Sequence, residues 1–143
     1  MQAYPVLNTQ VVGQAESALG AIFDPILARA GTTFHQWLVL TITTAGGGSA
    51  DRGELVARIA GARKIDPAEV ETAIGELHAD GLLQFSGATL ALTEGGRARQ
   101  GQIRRAVEEV TARLFDFPAE DLATAGRVLS IITARANAEL APR

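Results

Sequence analysis

Five acidic residues, Asp66, Glu69, Glu71, Glu76 and Asp80, fall within one stretch that contains no Lys or Arg. Carboxylates at such spacing can cap a helix, accept from cytosine N4, or repel phosphate. A helix entering the major groove of DNA has phosphates on both sides, and basic neighbours normally supply much of its affinity. This stretch has the layout of such a helix without its charge. A second concentration of chemistry is aromatic. Phe23, Leu27, Phe34, His35 and Trp37 could line an apolar pocket in which His35 offers one hydrogen bond. The plainer alternative makes Phe34 and Trp37 core residues and His35 a neighbour of a helix cap. A third set is basic: Arg52, Arg63, Lys64, Arg97 and Arg99 surround the acidic stretch.

Composition bounds what these groups can do. The 143 residues are enough for one compact domain with a core. The net charge of −3 lacks the basic surplus common in nucleic-acid binders. There is no cysteine, which excludes disulfides, thiolate metal sites and Cys nucleophiles, and two histidines make a protein-only zinc site an unfavoured reading. We expect no metal, no cofactor and no catalytic residue. Spacing assembles no nucleophile, base and acid, so an enzyme would rely on His35, His78, Glu16 or Asp24. Gly46-Gly47-Gly48 follows a helix and precedes no lysine, unlike a phosphate loop. The first residues lack the basic and apolar regions of a signal peptide, and no apolar run could span a membrane. A cytoplasmic location is expected, with no membrane partner.

The elements that must position these residues are mostly helical. Val12, Ala15, Leu19, Ile22 and Ile26 form one stripe of a long first helix, which Pro25 can kink and Gly31 stops. Thr33 and Gln36 make a capping box for a second helix through Ile42. The three glycines then form a flexible joint. Ser49 or Asp51 caps a short helix carrying Leu55, Val56 and Ile59. Asp66, with Pro67 at the first turn, opens the acidic helix, which turns Val70, Ala73, Ile74 and Leu77 inward. Residues 82–92 read as a β-hairpin about Ser86-Gly87. Thr93 caps a long helix with a seam of Ile103, Val107, Val110, Leu114 and Phe117, and Pro118 opens a last one bearing Leu122, Leu129, Ile132 and Ala136. Arg104 and Arg105 face Glu108 and Glu109 at four-residue spacing as surface ion pairs. The fold class is mainly α with a small β-hairpin. Its terminal helices are too apolar for solvent and suit packing on a second copy.

In this order the chain resembles the MarR family of bacterial regulators. The matching pieces are residues 31–40 entering the second helix, Glu54-Leu55-Val56, Val70 through Leu77, Asp80-Gly81-Leu82-Leu83, and residues 92–97. The ordered set carries the resemblance. It implies a single MarR-like domain over 1–143, with residues 8–30 and 97–140 as dimerisation helices and 33–96 as a winged helix-turn-helix lobe. It further implies a homodimer, DNA as partner, and a small apolar or aromatic effector between stem and lobe. Ala68, Glu71 and Thr72 would then lie near bases, with Arg52, Arg63, Lys64, Arg97 and Arg99 on phosphates. Phe23, Leu27, Phe34, His35 and Trp37 would line the effector pocket. The chain departs from the family in three places. The wing, residues 85–89, is short and uncharged. The link at residues 61–64 reads as longer than a tight turn. The module from Ser49 to Arg99 holds six basic and eight acidic residues, a net of −2. The expected function is a ligand-responsive, DNA-binding transcriptional regulator. The alternative is a repurposed dimer that binds or transforms a small apolar molecule without DNA.

Overall fold

A computed structural model describes residues 3–142. The order is α1 (Thr9–Arg29), α2 (Phe34–Ala45), β1 (Ser49–Asp51), α3 (Arg52–Arg63), α4 (Pro67–Ala79), β2 (Leu83–Ser86), β3 (Thr89–Leu92), α5 (Glu94–Leu114) and α6 (Ala119–Leu140). The chain divides into two compact units, one ending at Val107 and one beginning at Glu108.

In the first unit, side-chain caps set the helix starts. Asn8 accepts from the Val11 amide at 2.9 Å. Thr33 and Gln36 exchange both bonds of a capping box, at 3.2 and 3.1 Å. Asp51, rather than Ser49, caps α3 by accepting from the Glu54 amide. Pro25 does not interrupt α1, which continues to Arg29. The helix ends in a Schellman motif: Gly31 adopts φ +64°, and the Thr32 amide reaches back to the Leu27 carbonyl at 3.0 Å.

Two local expectations are corrected. The triple glycine is a closed turn, not a loose joint. Gly47 and Gly48 take φ +89° and +98°, their amides bond Thr44 and Thr43 carbonyls, and the Gly48 carbonyl accepts from Leu92. That last bond leads Ser49–Asp51 onto β3, so the predicted hairpin is a three-stranded antiparallel sheet in the order β1-β3-β2. The link between α3 and α4 is also tight. Helix α3 runs through Gly61 to Arg63 because Lys64 takes a left-handed conformation (φ 58°), leaving two residues before the Asp66 cap. The Lys64 ammonium secures this turn by donating to the Gly61 carbonyl at 2.7 Å.

The core joins α2, α3, α4 and the sheet through Val39, Leu40, Leu55, Ile59, Val70, Ile74, Leu77, Leu83, Leu90 and Leu92. This is the inward face that periodicity predicts for α3 and α4. Helix α5 meets the start of β2 at Gly96, where an added Cβ would stand 2.1 Å from the Leu82 carbonyl oxygen. In α5, Ile103 is buried, while Leu114 is exposed and Phe117 lies past the helix end. In the second unit, α6 buries no side chain among the described residues, and Leu122, Leu129 and Ile132 are exposed. Glu109 approaches Arg113 at 4.0 Å, another four-residue pair. Among the described residues no helix is long and apolar enough to cross a membrane.

Candidate functional site

The acids of α4 are mostly committed within the chain. The Asp66 carboxylate caps the helix, accepting from the Ala68 amide at 2.8 Å. Glu76 accepts from Gln36 Nε2 at 3.3 Å, which ties α4 to α2. Glu71 takes both Arg52 Nε (2.9 Å) and Nη2 (2.5 Å) on one oxygen. Arg52 was expected at a phosphate and Glu71 near a base; the structure pairs them with each other. The guanidinium also lies over the Phe85 ring, 4.8 Å from its centroid. On the same ring His78 stacks at 4.2 Å with an interplanar angle of 11°. The Arg52 amide donates to the Ala88 carbonyl at 2.8 Å. The start of α3, the middle of α4 and the strand tip therefore form one locked cluster. Sequence reasoning missed the parts of His78 and Phe85, because their stacking depends on how the turn after α4 folds β2 back and on Arg52, which comes from α3.

The other predicted DNA residues do not share one surface role. Ala68 and Thr72 are exposed on α4, and the Thr72 hydroxyl donates back to the Ala68 carbonyl at 2.9 Å. Arg97 is exposed, with its guanidinium near Gly48. Arg99 is half-buried and donates to Thr32 Oγ1 at 3.2 Å. Lys64 sits in its turn. Arg63 lines a cavity.

That cavity, of about 780 Å³, is lined by Val12, Glu16, Ser17, Leu19, Gly20, Phe23 and Asp24 of α1, Phe34 of α2 and Arg63 of α3. Its size suits a small-molecule ligand. On α1 the lining recurs every three to four residues, the repeat of one helix face. Arg63 lies over the Phe34 ring at 4.8 Å and 3.9 Å from Glu16. Of the five residues predicted for an effector pocket, Phe23 and Phe34 line this one. Leu27 is 3% exposed and Trp37 is half-buried, and neither reaches the cavity wall. His35 lines a separate hollow of about 270 Å³ with Thr33, Glu69, Thr72 and Glu76. Among the described residues no group of three or more His, Asp or Glu could hold a metal ion.

No family model matches the sequence, and no curated protein matches it. Solved structures do match it over most of its length. Ligand-free NadR superposes with a TM-score of 0.73 at 22% identity, covering 94% of this chain and 100% of that one. Sco5413, a MarR family transcriptional regulator from Streptomyces coelicolor, gives 0.72 at 18% identity, covering 90% and 91%. The MarR family protein Rv2887 of Mycobacterium tuberculosis, solved in complex with DNA, gives 0.68 at 19%, covering 90% and 98%. The chain has the MarR fold. Within it α3 and α4 form the helix-turn-helix, with α4 in the recognition position, and β2–β3 form the wing. The wing of this MarR fold is uncharged at its tip, Gly87-Ala88, and is pinned to α3 by the Arg52 amide.

Proposed function

We propose that this chain is a homodimeric, ligand-responsive transcriptional regulator that binds DNA through α4 and a small apolar or aromatic effector in the α1–α2–α3 cavity. The observation that carries the reading is Arg63. It is the last residue of the helix that opens the helix-turn-helix, and its guanidinium forms part of the cavity wall. A ligand that moves Arg63 acts three residues from the Asp66 cap of α4, so occupancy can bias the helix that faces DNA. The neighbours support this: Rv2887 was solved with DNA, and NadR also with 4-hydroxyphenylacetate. The exposed Leu122, Leu129 and Ile132 of α6 support the dimer. The test is a DNA-binding titration at about 50 mM salt, where phosphate contacts help most, against fragments from upstream of the gene. Sequence-selective binding that weakens with an effector is the expected result; no selectivity at low salt overturns it.

A second reading is favoured by the Arg52–Glu71 pair and the net charge of −2 between Ser49 and Arg99. Here the dimer has given up DNA and keeps the cavity for binding or transforming a small molecule. A specific ligand in the absence of any DNA binding would establish it.

A further inference from the structure

The α1–α2–α3 cavity carries three charged groups, Glu16, Asp24 and Arg63. They are unequally employed. Arg63 already has two neighbours: its flat face covers Phe34 at 4.8 Å, and Nη2 stands 3.9 Å from Glu16. Asp24 has neither an ion pair nor a hydrogen bond among the described residues. The lining therefore sums to one negative charge, and the carboxylate left over is Asp24, next in sequence to the Phe23 ring. An anionic ligand entering here would have to take Arg63 from Glu16 while lying beside two carboxylates. A cationic one meets an unpaired carboxylate and an aromatic ring that both favour it.

We propose that the effector of this cavity is an aromatic amine carrying one positive charge, its ammonium at Asp24 and its ring among Phe23, Phe34 and Leu19. The proposal rests on the cavity being the effector site. It sets this chain apart from NadR, whose 4-hydroxyphenylacetate carries a carboxylate. Gly20 supplies the room for the ring: a Cβ placed there meets nothing within 4 Å. Gly20→Leu fills the space without touching a charge and replaces a glycine inside a helix by a better helix former.

The experiment measures binding of 2-phenylethylamine, 2-phenylethanol and phenylacetate to the full chain by calorimetry, with DNA binding followed in parallel. The amine should bind tightest. Asp24→Asn should weaken it by about three- to tenfold, the range for a partly exposed charge-assisted contact, and leave 2-phenylethanol unchanged. Gly20→Leu should abolish binding of all three. Tighter binding of phenylacetate overturns the proposal, and if phenylacetate also releases DNA, the regulator reading survives. Amine binding that ignores Asp24→Asn, or no binding by any probe, also overturns it. Amine selectivity that depends on Asp24 in a chain that never binds DNA upholds the proposal and overturns the regulator reading instead.

Discussion

Replacing Gly96 by alanine tests how α5 is seated on the wing. A Cβ at this position stands 2.1 Å from the Leu82 carbonyl oxygen and 3.1 Å from its carbon. Ordinary C···O contact begins near about 3.3 Å, so the helix start or the Leu82 peptide must retreat by about 1.2 Å. Neither is free to do so. Thr93 Oγ1 accepts from the Gly96 amide at 3.1 Å and donates to the Gly81 carbonyl at 2.6 Å. The Thr93 amide donates to the same Leu82 oxygen at 3.1 Å. Overpacking costs about 1–3 kcal/mol, and straining two of these bonds adds about 1 kcal/mol each. Alanine returns up to about 1 kcal/mol of helix propensity. The net loss is about 2–4 kcal/mol, or about 5–15 °C in Tm for a chain of this size. Gly95→Ala is the matched control. Its Cβ meets nothing nearer than 3.6 Å, so stability should stay unchanged or rise by up to about 1 kcal/mol. Urea unfolding of both variants at one protein concentration reads the difference. If Gly96→Ala unfolds within about 0.5 kcal/mol of Gly95→Ala, the close approach does not constrain the molecule as argued.

Three further outcomes are expected. Glu71→Ala frees Arg52, so non-specific DNA affinity should rise and the log–log salt slope should steepen by about 0.9 per protomer; an unchanged slope would show that Arg52 does not reach phosphate. The same change should cost at most about 1 kcal/mol of stability, since both partners are over one-third exposed. Lys64→Gly removes a side chain from a left-handed residue (φ 58°). Chemical denaturation should show a change of under about 1 kcal/mol, because relief of backbone strain offsets the freedom that glycine adds to the unfolded chain and the loss of the solvent-exposed ammonium bond to Gly61. Finally, Leu129→Asp with Ile132→Asp should convert a dimer to monomers in sedimentation while the far-ultraviolet spectrum keeps its helical shape; a persistent dimer would place the interface elsewhere.

Much of the fold was legible residue by residue. The Thr33–Gln36 box, the Asp66-Pro67 start, the Gly31 stop and the inward faces of α3 and α4 are local patterns, each complete within a few residues of chain. The third strand was not legible. Ser49–Asp51 is three residues long, too short for alternation to show, and becomes a strand only because β3 offers it partners. The candidate site divides in the same way. Phe23 and Phe34, which the sequence offers as candidate effector residues, do face one cavity, and the sequence also exposes the conflict between an acidic α4 and a DNA-binding layout. Tertiary structure alone decided which charges are spent. Glu71 and Arg52 are 19 positions apart, Glu76 and Gln36 are 40, and Glu16 and Arg63 sit on different helices. Composition reports how many charges a module has. Only the packing of helices, which brings one carboxylate to one guanidinium and leaves Asp24 without a partner among the described residues, determines which of them remain for a ligand or for DNA.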